Sequence, residues 1–229
     1  MRKYTLNENY FEDINTEEKA YWLGFLHAEA GVSVNKKGNQ LIVSLSQGDG
    51  QHLFKLAAAL QTNAPIRNYE YLKKNGKLNK YTKFCLTYSG KLAETLTKLG
   101  VKPKKSHTLL PAQLDESLMR HYWRGLFDGD GHIMQTRTWW KTGLCGSKPC
   151  VEGFKKWANH VSGTKANVQP DHSVYSFTIQ GVGAPQALIT EMYKDNTVSL
   201  DRKQKIAEVL MAMPIQRHRV VAQYEGGGV

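Results

Sequence analysis

A nine-residue apolar phrase occurs twice in this chain, and the second copy follows the first at a spacing of 101 positions. The first copy runs from Tyr21 to Glu29 and the second from Tyr122 to Asp130. Tyr, Trp and Gly occupy the same places in both copies, and each copy ends on an acid. A duplication in matched register restricts the chain to folds that use the same helix twice, once in each half.

Small residues recur at every fourth position of both copies, as Gly24 and Ala28 in the first and Gly125 and Gly129 in the second. Residues four apart lie on one face of an α-helix, so each copy has a face with little or no side chain. Glycine inside a helix costs roughly 1 kcal/mol relative to alanine, so these glycines call for a packing reason. We therefore predict a helix interface at these four residues, closer than the roughly 8–10 Å typical of packed helices.

The hydrophobic pattern around the two copies also repeats, in the order helix, two strands, helix, two strands, helix. Helices are predicted at about 16–28, 50–61, 90–98, 116–128, 151–161, 183–193 and 200–212, the last being an additional basic helix. Strands are predicted at about 32–35, 41–45, 65–73, 80–88, 131–137, 141–146, 164–169 and 173–180.

This order predicts an α+β protein with two pseudo-symmetric αββαββα halves and antiparallel sheets. We expect an N-terminal half over 1–100, a charged and proline-bounded linker over 101–114, and a C-terminal half over 115–213. The glycine-rich segment 214–229 is expected to be a disordered tail.

Charge and composition narrow the class of partner. The formal net charge is +11, which favours a nucleic acid or an anionic membrane surface as the partner. No apolar run approaches the roughly 20 residues needed to span a bilayer, and the N-terminus has no signal-peptide pattern. The three cysteines form no CxxC pair. We expect a soluble, intracellular protein, in the cytoplasm or an organelle matrix, with no membrane partner and no disulfide framework.

The two motif copies resemble the LAGLIDADG homing endonucleases in their single-chain form. Further similarity lies in the lead-in from Tyr10 to Phe25, in Leu99-Gly100-Val101 with Lys105-Ser106, and in Leu200-Asp201-Arg202-Lys203. The resemblance implies that the motif helices form the interface between the halves and that the two sheets make a saddle over DNA. It also implies a monomer with a pseudo-twofold axis.

The same resemblance implies that Glu29 and Asp130 bind a divalent metal at the scissile phosphates. Two neighbouring carboxylates repel each other, and Mg²⁺ suits such a pair because it takes carboxylates, waters and phosphate oxygens. We expect Mg²⁺ as the cofactor, with Mn²⁺ able to substitute and Ca²⁺ binding without supporting cleavage. Ala30 and Gly131, the residues after the acids, are included in the expected metal site.

Three further residues are candidates for the catalytic site. Resemblance points to Lys105 and Lys203, which lie 76 and 73 positions after Glu29 and Asp130. Basic groups there can stabilise the charge of the transition state or position the attacking water. Gln47, at the end of the second predicted strand, is a weaker candidate for the water network. A solvated surface charge is the alternative for each of the two lysines.

One motif copy departs from the family pattern. Gly131 follows Asp130 as in the family, but Ala30 follows Glu29. Alanine adopts a positive φ less readily than glycine, so we expect the end of the first helix to be adjusted or strained. This raises the prospect of unequal half-sites and of preferential nicking of one strand.

Basic and aromatic residues alternate along the predicted strands. They comprise Arg67, Tyr69, Tyr71, Lys73 and Lys83 in the first half and Arg137, Trp139 and Lys141 in the second. Such a face suits a β-ribbon in the major groove, with Lys and Arg reaching phosphates or guanine edges, although a single strand of this kind is also compatible with an ordinary solvated face. One helical turn of duplex for each half predicts a double-stranded target on the order of 20 bp.

The sequence therefore predicts a site-specific endonuclease that makes a staggered double-strand break with 3′ overhangs. A non-catalytic binder of the same fold, either an intron maturase or a DNA-binding regulator, is the alternative. The motif Asp128-Gly129-Asp130-Gly131 is not read as an EF-hand loop, because the position of the bidentate Glu falls on Trp139.

Overall fold

The computed structural model describes residues 4–35, 38–88 and 91–214. All but the first residue of the expected tail lies outside these ranges. Two four-stranded antiparallel sheets, each accompanied by helices, make up an α+β fold, which confirms the predicted class.

The first half begins with α1 (Glu17–Glu29), which Thr16 caps by accepting a hydrogen bond from the backbone N–H of Lys19 at 3.3 Å. The next elements are β1 (Ala30–Asn35), β2 (Gly38–Ser46), a 3₁₀ turn (Gln47–Asp49), α2 (Gln51–Ala59), β3 (Ile66–Leu72), β4 (Leu78–Tyr88) and α3 (Lys91–Lys98). The sheet order is β1-β2-β4-β3, with every neighbouring pair antiparallel.

The second half repeats this plan. Its elements are α4 (Glu116–Asp130), β5 (Gly131–Gln135), β6 (Trp140–Gly146), α5 (Lys148–Ser162), β7 (Val168–Asp171), β8 (Val174–Gly181), α6 (Gly183–Tyr193) and α7 (Asp201–Met211). Its sheet order, β5-β6-β8-β7, matches the first sheet strand for strand. A 3₁₀ turn (Lys105–His107) lies in the connection between the halves.

The two motif helices lie at the centre of the molecule. Residues 20–27 of α1 and 121–128 of α4 are all buried, so each helix is enclosed on every side rather than amphipathic. No helix among the described residues is long and apolar enough to cross a membrane.

Several predicted strand boundaries were wrong, among them the start of β2, which is Gly38 rather than 41. The strand predicted at 164–169 is β7, which begins only at Val168, and the strand predicted at 131–137 ends at Gln135. Arg137 therefore lies in the turn between β5 and β6, where Thr136 and Trp139 bond to each other across the turn. Lys73 lies beyond the end of β3, in a turn closed by its own N–H and the carbonyl of Lys77. Turn geometry, which alternation does not encode, decided these ends.

Candidate active site at the helix interface

Glycines let the two motif helices meet backbone to backbone. A Cβ added at Gly24 would overlap the carbonyl oxygen of Tyr122, and one added at Gly125 would overlap the carbonyl oxygen of Tyr21. The two contacts are equivalent under the shift of 101 positions. The predicted interface is therefore present, and its closeness depends on the missing side chains.

Gly129 places the two acids beside each other. A Cβ at Gly129 would overlap that of Ala28 and would lie 3.4 Å from Oε1 of Glu29. The Glu29 carboxylate thus rests against α4 one residue before Asp130, the last residue of that helix.

The electrostatics of the pair follow from this closeness. Burial first, and the charge of Asp130 second, raise the pKa of Glu29 to about 7. Asp130 is exposed, yet the protein atoms around it raise the pKa of its carboxyl group as well. Neither carboxylate accepts a hydrogen bond from the described residues, and the surrounding protein atoms disfavour the charged form of both. Such a pair is suited to bind a cation.

The two predicted lysines approach this pair from opposite halves. Lys105 and Lys203 are 6% and 4% exposed, which is unusual for lysine. The ammonium of Lys105 donates to the carbonyl of Ala30, and that of Lys203 donates to the carbonyl of Gly131 at 2.6 Å. Each lysine therefore binds the residue that follows the acid in its own half.

Burial lowers the pKa of both lysines, to about 8 for Lys203, while Glu29 and Asp130 act in the opposite direction. The carbonyl oxygens of Ala30 and Gly131, expected in the metal site, are thus already hydrogen-bonded. A carbonyl oxygen has two lone pairs, and the hydrogen bond from each lysine uses one of them.

Gln47 lies at the start of the 3₁₀ turn that follows β2, and its side chain is exposed. The charge of Asp49, at the end of this turn, contributes to the raised pKa of Glu29. Asp49 is held from the other half by Arg202, at 3.1 Å. The sequence did not single out this ion pair between the halves.

The expected strain at Ala30 is absent. Ala30 has φ −78° and ψ 124°, and Gly131 has φ −87° and ψ 167°, so neither residue needs a positive φ. Gly131 is required for space instead, since an added Cβ would overlap both the ring and the carbonyl oxygen of Phe127. In the first copy Leu26 stands where Phe127 does, and the methyl group of Ala30 fits there, 3% exposed.

A buried polar network ties the helices together, and it includes a residue that sequence reasoning missed. Asp128 accepts hydrogen bonds from the hydroxyl of Tyr21 and the N–H of Leu200, both at 2.7 Å, and from Tyr193. Its pseudo-symmetric counterpart, His27, bonds to the hydroxyl of Tyr122 at 2.9 Å and to the carbonyl of Leu99 at 2.6 Å. These partners are also related by the shift of 101 positions.

The two networks differ in chemistry although they share a plan. Because Nε2 of His27 donates to a carbonyl, Nδ1 accepts from Tyr122, and burial lowers the pKa of His27 to about 4. Burial raises the pKa of Asp128. The repeated tyrosines at the start of each phrase, Tyr21 and Tyr122, were the available signal for these cross-helix bonds.

Arg124 is a second buried group that the sequence did not reveal. It is fully buried and donates to Glu17 at 2.7 Å, to the carbonyl of Val198 at 3.0 Å and to that of Met192 at 2.8 Å. Leu23 occupies the equivalent place in the first copy. Arg124, on α4, therefore links the start of α1 to the segment that precedes α7. Lys203 lies on α7.

The outer face of the first sheet carries the predicted basic and aromatic residues. Tyr69 stacks on Tyr81 with centroids 5.3 Å apart, and Tyr71 contacts Tyr81 edge-on at 6.0 Å. Lys83 lies 6.0 Å from the Tyr69 ring, and Arg67 is directly opposite Lys83 in the ladder. Four of the five residues predicted for this face are therefore brought together, and Lys73 lies in the adjoining turn.

The second sheet presents a different outer face. Lys141 shares it with Gly143 and Cys145, opposite Gln180, Thr178 and Ser176 of β8. Trp139, 37% exposed, precedes β6, and Arg137 is in the turn between β5 and β6, so of these three residues Lys141 alone lies in a strand.

The protein donors at the helix ends are few for a divalent metal. Among the described residues no group of three or more His, Cys, Asp or Glu could hold a metal ion. Mg²⁺ is usually bound by one or two carboxylates, with waters and substrate phosphates completing its shell. Glu29 and Asp130 fit a cation held jointly by protein and substrate, rather than by protein alone.

No sequence profile of a known protein family matches the chain, and no curated protein sequence matches it. The fold is nevertheless similar to solved structures. The crystal structure of the N-terminal LAGLIDADG domain of DUF199/WhiA superposes with a TM-score of 0.54 at 16% identity, covering 87% of this chain and 93% of that one.

DNA-bound proteins of the same fold are also similar. The homing endonuclease I-WcaI bound to its DNA recognition sequence has a TM-score of 0.56 at 12% identity, covering 81% of this chain and 84% of that chain. The LAGLIDADG meganuclease I-AabMI bound to uncleaved DNA has a TM-score of 0.53 at 12% identity, covering 83% and 88%. This chain therefore has the LAGLIDADG fold. At such identities the activity must be inferred from its own residues.

Proposed function

We propose that this protein is a divalent-metal-dependent, site-specific DNA endonuclease that cuts both strands and leaves 3′ overhangs. The observation that carries the proposal is the pair of carboxylates of Glu29 and Asp130, which lie side by side at the helix ends and accept no hydrogen bond from the described residues. The basic and aromatic face of the first sheet and the net charge of +11 support a DNA partner. The similar structures named as DNA-bound endonucleases add to this support.

Each residue of the site has its own proposed role in cleavage. Glu29 and Asp130 would hold Mg²⁺, or Mn²⁺ in its place, at the scissile phosphates, with Ala30 and Gly131 at the edge of the metal site. A bound divalent cation polarises the phosphate and lowers the pKa of an attacking water. Lys105 and Lys203 keep positive charge beside the reacting phosphates, and their backbone bonds fix where that charge lies. Gln47 remains a candidate for the water network.

The DNA would lie across the outer faces of the two sheets, a saddle spanning on the order of 20 bp if each half covers one helical turn. Arg67, Lys83, Lys141, Lys73 and Arg137 supply phosphate or guanine contacts, and Tyr69, Tyr71 and Trp139 supply apolar contacts. One chain provides both halves, so we propose that the protein acts as a monomer inside the cell.

The decisive experiment changes one carboxylate. With a duplex that carries the target, Asp130→Asn should retain binding in Ca²⁺ but lose cleavage in Mg²⁺ by about 10³-fold, the equivalent of several kcal/mol. Asp115→Asn, at the other end of α4 and exposed, is the matched control and should cut normally. Undiminished cutting by Asp130→Asn would refute the assignment.

A non-catalytic nucleic-acid binder is the second candidate, either an intron maturase or a DNA-binding regulator. The observation that favours it is the similarity to WhiA, which is not named as an endonuclease. Wild-type protein that binds a duplex but leaves it intact in both Mg²⁺ and Mn²⁺ would support this candidate and contradict the nuclease.

A further inference from the structure

The β3–β4 and β7–β8 hairpins are pseudo-equivalent, but they differ in length. Ile66 pairs with Phe84 beside Val43, and Val168 pairs with Phe177 beside Leu144, the residue 101 positions after Val43. We call residues 66–84 the N-terminal ribbon and residues 168–177 the C-terminal hairpin. Beyond the equivalent pair the N-terminal ribbon has six further residue pairs, and the C-terminal hairpin has three.

The extra length leaves the hydrophobic core. Every residue from Arg67 to Leu78 is exposed, on both faces of the ribbon. The underside, which faces the core at Phe84, carries an exposed Glu70–Lys80 ion pair of 3.7 Å and an exposed Leu72–Leu78 pair. Among the residues that the structure describes, no core lies beneath this part of the ribbon, so its length has no evident packing role.

The two hairpins also differ in net charge. The N-terminal ribbon contains six basic residues and one acid, a net charge of +5. The basic residues are Arg67, Lys73, Lys74, Lys77, Lys80 and Lys83. The C-terminal hairpin contains Asp171 and no Lys or Arg, a net charge of −1. A phosphate backbone attracts the first and repels the tip of the second.

The basic residues at the tip of the ribbon lie in a hydrogen-bonded turn. The turn that carries Lys73, Lys74 and Lys77 is closed by hydrogen bonds from the N–H of Lys73 to the carbonyl of Lys77 and from Gly76 to Lys73, both 2.9 Å. Gly76 takes φ 76°, which a glycine adopts readily. Three ammonium groups are therefore presented together at the end of the ribbon.

We propose that the two halves divide the DNA contact unequally, with the N-terminal ribbon acting as a phosphate-binding arm that extends the footprint on its own side. Three additional residue pairs at about 3.4 Å each make the ribbon about 10 Å longer. Since successive base pairs are about 3.4 Å apart, the footprint reaches about 3 bp further on that side. The inference rests on the proposed binding of duplex DNA, but it does not require cleavage.

The test uses the full chain and a 40-bp duplex that carries the sequence it selects from a random library by binding in Ca²⁺. Lys73→Gln/Lys74→Gln/Lys77→Gln should reduce the slope of log affinity against log salt by about 2.7, since each phosphate contact contributes about 0.9. Hydroxyl-radical protection should be lost over about 3 bp at one end of the site. Lys98→Gln/Lys156→Gln/Lys205→Gln is the matched control, because it removes three exposed lysines from helices α3, α5 and α7.

A gain-of-contact variant tests the other side. Asp171→Lys should steepen the salt slope and add protection at the opposite end of the site. A symmetric wild-type footprint, or a tip variant whose slope and footprint match those of the control, would overturn the inference while leaving duplex binding intact. Failure of the wild-type protein to bind any duplex would overturn the proposed function, and the inference with it.

Discussion

The two motif copies differ in the residue that follows the acid and in the residue four positions before it. Phe127 leaves no room for a Cβ at Gly131, whereas Leu26 stands at the equivalent place before Ala30. The first copy has Ala30 where the second has Gly131, and one turn earlier it has the smaller side chain, Leu26 instead of Phe127. The residues that follow the two acids are both extended, with ψ 124° at Ala30 and 167° at Gly131.

This explanation can be tested with a double-mutant cycle. Gly131→Ala should destabilise the protein by about 1–3 kcal/mol, because the new Cβ overlaps the ring of Phe127, which Phe127→Leu makes smaller, and also its carbonyl oxygen, which remains. Phe127→Leu/Gly131→Ala copies the first half and should lose less than the sum of the two single variants, with a favourable coupling of about 0.5–3 kcal/mol. Urea unfolding measures all three variants. Strictly additive losses would contradict the idea.

The raised pKa of Glu29 makes stability depend on pH in metal-free protein. Its folded value of about 7 exceeds the ordinary 4.5, so the folded chain holds the proton to higher pH. The free energy of unfolding therefore falls as pH rises through this window, by up to about 3 kcal/mol. Glu29→Gln should remove that fall when urea unfolding in EDTA is compared at pH 5 and pH 8. The exposed Glu94→Gln should keep the wild-type pH dependence.

At the scale of elements, the sequence predicted the helices and strands well where local pattern decides them. The duplicated phrase predicted α1, α4 and their contact, because small residues at helical spacing have few other uses. Strand ends were less predictable, as Lys73 and Arg137 show, because turn hydrogen bonds decide where a ladder stops. The 3₁₀ turn that buries Lys105 has no comparable sequence pattern.

The closeness of α1 and α4 makes a quantitative prediction. Gly125→Ala should destabilise the protein by about 3 kcal/mol or more, since the Cβ meets backbone of α1 that cannot rotate away as a side chain can. Gly183→Ala, in the first turn of α6 with nothing within 4 Å, is the control. It should be neutral or stabilise by about 0.4–1 kcal/mol. A mild effect of Gly125→Ala in thermal unfolding would indicate a looser interface.

At the scale of the whole molecule, the halves depend on each other. The buried faces of α1 and α4 cover one another, and Arg124, Asp128 and His27 complete their hydrogen bonds across the interface or with the segments packed on it. Either half alone would expose apolar helix surface and leave buried polar groups without partners, which is costly.

The two halves should therefore unfold together. Urea unfolding followed by tryptophan fluorescence and by far-UV circular dichroism should give coincident single transitions. Residues 1–114 and 115–229 made separately should show little fixed structure until mixed. Two resolved transitions, or a separate half that is as stable as the full chain, would show that the interface is dispensable.

The sequence by itself determined the duplication, the helix interface, the pair of acids and the basic character of the molecule. These are local or additive properties: helical spacing, residue type and net charge. The tertiary structure alone decided which groups meet. It revealed the carbonyl partners of Lys105 and Lys203, the central place of Asp128, and the greater length of the basic ribbon in the first half. Such contacts join positions far apart in the chain, and sequence distance carries no information about them until the fold brings them together.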